Sequence, residues 1–125
     1  MTSPSARHTR YPYQNEPIWS RSEKAIARKV FDAALKRKLH EVMREVKQKA
    51  NQITEPADVW ALERYLTQRR KDIDNKYDFR SSQLTRVFGT LLYEGRLTEE
   101  ELHGLKEGKI TIMRSCAKVL SEDVA

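Results

Sequence analysis

The chain has 125 residues, of which 38% are hydrophobic and 34% charged, and 24 Lys and Arg against 18 Asp and Glu give it a formal net charge of +6. The single Cys116 argues against a disulfide-stapled fold and favours a reducing, cytoplasmic setting, and no stretch approaches the ~20 apolar residues of a membrane span. Few glycines and many charges are typical of long amphipathic helices, so the composition favours an all-α protein.

The first predicted helix follows a tail. Residues 1–18 contain three prolines and no sustained hydrophobic period, which predicts a flexible segment. Ser20 and Glu23 have the spacing of a capping box, which starts a helix. From Ile26 to Ala50 apolar residues recur every three or four positions without Gly or Pro, so we expect one helix of about thirty residues.

A second helical region begins at residues 54–56, where Thr54 is the predicted capping side chain and Pro56 occupies the first turn. Because so short a loop joins two long helices, they are expected to lie antiparallel as a hairpin. Apolar residues continue to Leu92, and Gly95 is predicted to end the region as the residue after the C-cap.

The remaining chain predicts a small helical head. Thr98 and Glu101 repeat the capping-box spacing and start a short helix, and a final helix carries apolar residues from Ile110 to Leu120. We therefore expect a flexible tail over 1–18, a stalk over 19–80, a head over 81–121 and a C-terminal tail over 122–125.

The stalk predicts a dimer, because a two-helix hairpin cannot bury both of its apolar stripes and the head can cover only one end. At 100° per residue, an apolar arc on the second helix forms the predicted seam between two copies. The arc comprises Val59, Leu62, Leu66, Ile73 and Tyr77, and the first four are the predicted seam residues. Arg70 lies beside the arc, and Asp74 stands one turn further on at the spacing of an ion pair within the helix.

Catalytic patterns are weak. Glu100 and His103 form one Glu-x-x-His motif, whereas a di-iron bundle needs two. His40 and Glu41 begin a zinc-protease motif that fails because Arg44 replaces its second histidine. The sequence therefore predicts no enzyme, no metal and no cofactor, and Cys116 is interpreted as a small core residue.

Two interpretations of the surface residues remain open. Trp60 shares a flank of the second helix with Arg64, Thr67 and Lys71, which fits either a protein-binding hot spot or the rim of the dimer itself. The basic excess lies in residues 1–55, which carry 12 basic and 6 acidic side chains. A helical protein that associates with nucleic acid is the alternative, although the interspersed acids favour a solvated surface.

The second helix and the head resemble the fluorescence recovery protein family of cyanobacteria. The resemblance rests on residues 53–54, 58–60, 62, 65–66, 70, 82, 87–88, 91–92, 94–95 and 101–102, and above all on the string from Ile73 to Arg80. It also includes Trp19, Ser20 and Glu23, so it covers about residues 18 to 112.

This resemblance implies a non-enzymatic all-α dimer with a long stalk and a helical head. Members bind the photoactivated orange carotenoid protein, mainly through its C-terminal domain, and accelerate its return to the resting orange form, which ends quenching of phycobilisome fluorescence. Physically, such a protein biases a two-state equilibrium by binding one arrangement better. The natural partner would then be an orange carotenoid protein, and no nucleic acid or membrane would be involved.

The family's functional patch maps onto Trp60 and Arg70. Next to the patch, Glu63 and Arg64 stand where the best-known members have His-Asp, so a negative charge moves toward the seam and a positive charge joins the Trp60 flank. Arg86 stands where the family pattern has an apolar residue.

Overall fold

The computed structural model describes residues 18–124, and within this range the chain is helical with no strand. Four α-helices follow one another: α1 (Arg21–Asn51), α2 (Pro56–Lys76), α3 (Leu84–Tyr93) and α4 (Glu107–Val124), with a short 3-10 helix (Glu99–Leu102) between the last two. The predicted all-α class is confirmed. Of the tail predicted for residues 1–18, residues 1–17 lie outside the described residues.

The start of α1 is the predicted capping box. The Glu23 amide donates to Ser20 Oγ at 3.1 Å, and the Ser20 amide donates to the Glu23 carboxylate at 3.2 Å. These bonds satisfy amides that the first helical turn leaves free. The helix then runs for 31 residues, which confirms the length predicted from the hydrophobic period.

The turn between α1 and α2 is where predicted, but its capping residue differs. Pro56 occupies the first turn of α2, and Asp58 caps it: its carboxylate accepts the amides of Thr54 and Glu55 at 3.0 and 3.1 Å. The Thr54 hydroxyl also donates to Asp58, so the prediction that Thr54 is the capping side chain was wrong. A carboxylate accepts these amides better because it is charged and because it faces the positive end of the helix dipole.

The two long helices run antiparallel. Tyr65 of α2 donates to Glu45 of α1, and the Tyr77 ring, directly after the end of α2, meets Phe31. Residue numbers therefore fall along α1 as they rise along α2. The hairpin predicted from the short loop is confirmed.

The continuous second region predicted up to Gly95 was wrong, because α2 ends at Lys76 and a connector of residues 77–83 follows. In the connector, the rings of Tyr77 and Phe79 pack edge-on against Phe31, with centroid distances of 5.8 and 5.0 Å. The Arg28 guanidinium lies 3.6 Å from the centre of the Phe79 ring. Aromatic packing on α1 redirects the chain here, although the local sequence has no helix breaker.

The head has the helix end and the capping box that were predicted for it. Gly95 adopts φ +74° after α3, and the amides of Gly95 and Arg96 donate to Leu92 O and Leu91 O at 3.1 and 2.9 Å, which is a Schellman motif. Thr98 and Glu101 form the predicted capping box. The last helix runs to Val124, through positions assigned to a C-terminal tail, because no Gly or Pro follows Gly108 in its first turn.

The core lies where the first half of α1 meets the head. Its fully buried side chains come from α1, α3, the 3-10 helix and α4, and they include Ala27, Ala34, Val87, Phe88, Leu91, Leu102 and Met113. A Cβ on Gly89 would lie 2.5 Å from the Cβ of Cys116, so the missing side chain lets α3 and α4 approach closely. Cys116 is half-buried at this crossing, close to the core role predicted for it.

Candidate functional site

An apolar surface runs along α2, which has no buried residue over its 21 positions. Val59, Trp60 and Leu66 are 44%, 62% and 40% exposed. Single exposed apolar residues are ordinary, but a row of them at helical spacing is typical of an interaction surface. The four predicted seam residues all lie on this helix, Leu62 and Ile73 being half-buried.

The head does not cover this surface, because its buried side chains pack against α1. On α1, Leu39 and Met43 lie one turn apart beyond the core and are 43% and 52% exposed. Each helix of the hairpin thus presents large apolar side chains that the described part of the chain leaves uncovered.

Trp60 lies on the predicted flank of α2, and Arg64, Thr67 and Lys71 on that flank are all exposed. Glu63 accepts a hydrogen bond from the Thr67 hydroxyl at 3.0 Å, which directs its carboxylate along the helix. Trp60 therefore stands exposed next to one acidic and one basic side chain, and none of the three is buried by the fold.

The ion pair predicted between Arg70 and Asp74 is absent from the described residues, where both side chains are exposed. Arg69 instead pairs with Asp72 at 3.0 Å. The Arg69 guanidinium also lies 5.4 Å from the centre of the Tyr65 ring, on the side of α2 that faces α1. Arg69 is thereby held inside the hairpin, whereas Arg70 points to the outer surface and keeps its five donors for another molecule.

The phenol of Tyr65 is a fixed link between the two long helices. Burial, and then the neighbouring Glu45 carboxylate to which Tyr65 donates, raise the pKa of Tyr65 to about 12. The phenol therefore keeps its proton at neutral pH and remains a donor across the hairpin.

Two bidentate ion pairs between the head and α1 were missed by sequence reasoning. Arg37 donates to both oxygens of Glu101 at 3.0 and 2.8 Å, and Arg96 donates to both oxygens of Glu41 at 2.8 and 3.0 Å. Arg96, and then Lys38, lower the pKa of Glu41 to about 2. No local signal could have identified these pairs, because 64 and 55 residues separate their partners.

A buried ion pair also fixes the head to the start of α1. The Lys109 ammonium donates to both Glu23 oxygens at 3.0 and 3.1 Å and to the Ile18 carbonyl at 2.8 Å. Both charged side chains are only 3% exposed. Glu23 was identified from the sequence as a helix cap, but its pairing with Lys109 was not.

Residues 18–124 bring no three His, Cys, Asp or Glu side chains together as metal ligands. Glu100 and His103, which share the motif weighed above, are both exposed. No helix in this part of the chain is long and apolar enough to cross a membrane.

Comparison with known proteins supports the resemblance. Residues 19–117 match the family model described as photoprotection regulator fluorescence recovery protein. The curated fluorescence recovery protein of Synechocystis sp. PCC 6803 is 36% identical over 104 residues, which are 83% of this chain and 95% of that protein. The solved structures of the fluorescence recovery proteins of Fremyella diplosiphon and Synechocystis sp. PCC 6803 are each 37% identical, with TM-scores of 0.76 and 0.77. Each comparison covers 81% of this chain and 99% of the other.

Proposed function

This chain belongs to the fluorescence recovery protein family of photoprotection regulators, and we propose that it binds the photoactivated orange carotenoid protein as a homodimer and accelerates its return to the resting form. The single observation that carries the proposal is the exposed Trp60 on a helix face that the rest of the fold leaves uncovered. In the proposal, Trp60 and Arg70 are the principal contacts, with Glu63 and Arg64 beside them.

The chemistry of these side chains suits a protein partner. Trp60 supplies a large apolar surface that loses little conformational entropy on binding, and Arg70 supplies a planar guanidinium that can hold a carboxylate by two bonds. Residues of these two types dominate the binding energy of many protein interfaces.

The dimer is proposed on the uncovered apolar residues of α2. Val59, Leu62, Leu66 and Ile73 would form its seam, with Asp74 at the edge, and their burial would remove apolar area from water. Because Trp60 is displaced by about 100° from Val59, it would lie at the margin of that seam and remain accessible to the partner.

The mechanism needs no catalytic group. A dimer that binds the transition arrangement between the red and orange forms better than the red form lowers the barrier between them, and it is released once the resting form no longer fits. No chemical bond changes in this step.

The test is recovery of the orange form in the dark after photoactivation, followed by absorbance at equal dimer concentrations. Trp60→Leu and Arg70→Lys are expected to slow recovery by about tenfold or more, the cost of losing an interface anchor. Tyr93→Leu and Arg21→Lys are matched controls, because they change an exposed aromatic and an exposed arginine outside the patch. Parent-like recovery with both patch variants, at unchanged dimer mass, would refute the assigned patch.

The unusual Glu63–Arg64 pair is tested separately. With a carotenoid protein from a typical cyanobacterium, we expect Glu63→His combined with Arg64→Asp to accelerate recovery, because it restores the charge order of the best-known relatives. A double variant no better than the parent would contradict this electrostatic explanation. If affinity for nucleic acid instead fell steeply with salt while the carotenoid protein had no effect, the alternative function would be supported.

A further inference from the structure

A cavity of about 360 Å³ lies where the hairpin meets the head, between α1, α2, the connector and α3. It lies away from Trp60, since Ile73, which lines it, stands about 20 Å further along α2 at 1.5 Å per residue. Ile73 is also the last residue of the proposed dimer seam, so the cavity lies beside the end of that seam. The charged and phenolic side chains that line the cavity are Lys38, Arg69, Asp72, Lys76, Tyr77 and Arg86.

Positive charge dominates this lining, with four cations against the single acid Asp72. Two of the cations form ion pairs with carboxylates outside the lining: Lys38 pairs with Glu41, and Lys76 pairs with Glu94. Asp72 itself is paired with Arg69.

Of the four lining cations, Arg86 is the one that pairs with no carboxylate of residues 18–124. Its Nε donates to the neutral amide oxygen of Gln83 at 2.9 Å. The pKa of Asp78 is lowered by Arg80, which binds its carboxylate, and further by Arg86, but Arg86 forms no ion pair among the described residues.

Two donors at the cavity have no acceptor among the described residues. Nε of Arg69 and Oη of Tyr77 are both buried without a hydrogen-bond partner. Native proteins rarely leave buried donors unsatisfied, so each such group requires an explanation. Burial raises the pKa of Tyr77 to about 12, so the phenol keeps the proton that it would donate.

We propose that this cavity binds a small oxyanion such as inorganic phosphate. Arg86 supplies the compensating charge. Arg69, whose charge Asp72 already balances, supplies its unpaired Nε donor, and Tyr77 supplies a neutral donor from the connector. An oxyanion carries acceptors on all sides, so one ligand can accept from both orphan donors and from the Arg86 guanidinium. Because these residues come from α2, the connector and α3, the bound anion would hold the head against the hairpin.

Binding is tested by calorimetric titration of the full chain with sodium phosphate, with sodium chloride at matched ionic strength as the reference. Saturable binding of phosphate is expected, and sulfate should compete for the same site. Phosphate should also raise the melting temperature in proportion to its occupancy, because only the folded chain presents the cavity.

Three variants identify the site. Arg86→Gln should weaken phosphate binding by about tenfold, the value of one charge-assisted hydrogen bond, and Tyr77→Phe should weaken it while leaving the ring on Phe31. Asp72→Asn should tighten binding, because it removes the only acid of the lining. Lys118→Gln makes the same change in net charge as Arg86→Gln on an exposed part of α4, and it should leave phosphate affinity unchanged.

Absence of saturable phosphate binding to the native chain would overturn the proposal. Equal weakening by Lys118→Gln and Arg86→Gln would also overturn it, since the effect would then be non-specific attraction. Melting temperatures without phosphate serve as the folding control: Tyr77→Phe deletes only an unpaired buried hydroxyl, so this variant should fold at least as well as the parent.

Discussion

Replacing Lys109 by methionine should destabilise the head markedly, because Glu23 would remain buried without its cation. The two side chains are 3% exposed and their charged atoms lie 3.0 Å apart. Removing one partner of a buried ion pair typically costs about 3–5 kcal/mol, since an uncompensated charge stays in the interior. A methionine side chain is similar in length to the lysine stem, so the lost charge dominates the effect.

The pKa of Glu23 gives a second measure of how much the contacts of its carboxylate stabilise the fold. Burial by itself raises this pKa, but the Lys106 amide, the Lys109 ammonium and the Ser20 amide together lower it from 4.5 to about 2. A shift of that size corresponds to about 3 kcal/mol. Because the folded-state pKa is lowered, the stabilisation is fully present above pH 4.5 and is lost as the pH falls toward 2.

The assay is chemical denaturation of the parent and of Lys109→Met at pH 7 and at pH 3, at one fixed protein concentration. At pH 7 we expect the variant to lose about 3 kcal/mol, or roughly 10 °C in melting temperature. The difference in unfolding free energy between parent and variant should be smaller at pH 3. Without Lys109, the buried Glu23 carboxyl takes up a proton there and is no longer charged.

A double variant separates the ion pair from simple packing. Glu23→Gln combined with Lys109→Met should be less destabilised than the sum of the single changes, because each single change leaves an unpaired group and the double change leaves no charge. Additive losses, or a deficit for Lys109→Met that is the same at both pH values, would refute the electrostatic reasoning.

Three further changes test other parts of the fold. Val59→Glu should convert the proposed dimer to monomers in light scattering, because it places an unpaired charge in the seam; an unchanged mass would contradict the seam. Gly89→Ala should destabilise the head by about 1–3 kcal/mol through overpacking against Cys116, and adding Cys116→Gly should recover part of this loss in thermal denaturation. Phe79→Ala should cost about 2–4 kcal/mol in the same measurement, because the ring packs on Phe31 and under Arg28; a loss below about 1 kcal/mol would mean that the connector is held by other contacts.

Much of the local structure was predictable because the interactions that form it join neighbours in sequence. The capping pairs Ser20–Glu23 and Thr98–Glu101 act over three residues, and Gly95 ends α3 through its own backbone conformation. The hydrophobic period likewise placed Trp60 on an outer flank, where the structure leaves it exposed. The assignment of Trp60 and Arg70 to a partner-binding patch came instead from the family resemblance, and it stays a proposal.

Only the tertiary structure decided which distant side chains meet. The end of α2 depends on Tyr77 and Phe79 packing against Phe31, and nothing near residue 77 in the sequence signals that break. The partner of Glu23 lies 86 residues away. Arg70 does not form the predicted pair with Asp74, whereas its neighbour Arg69 pairs with Asp72. The cavity with Arg86 has the same origin, because it exists only where three helices and the connector converge. Helical periodicity determines which face a residue occupies, whereas the choice among many possible partners on that face depends on packing between elements far apart in the chain.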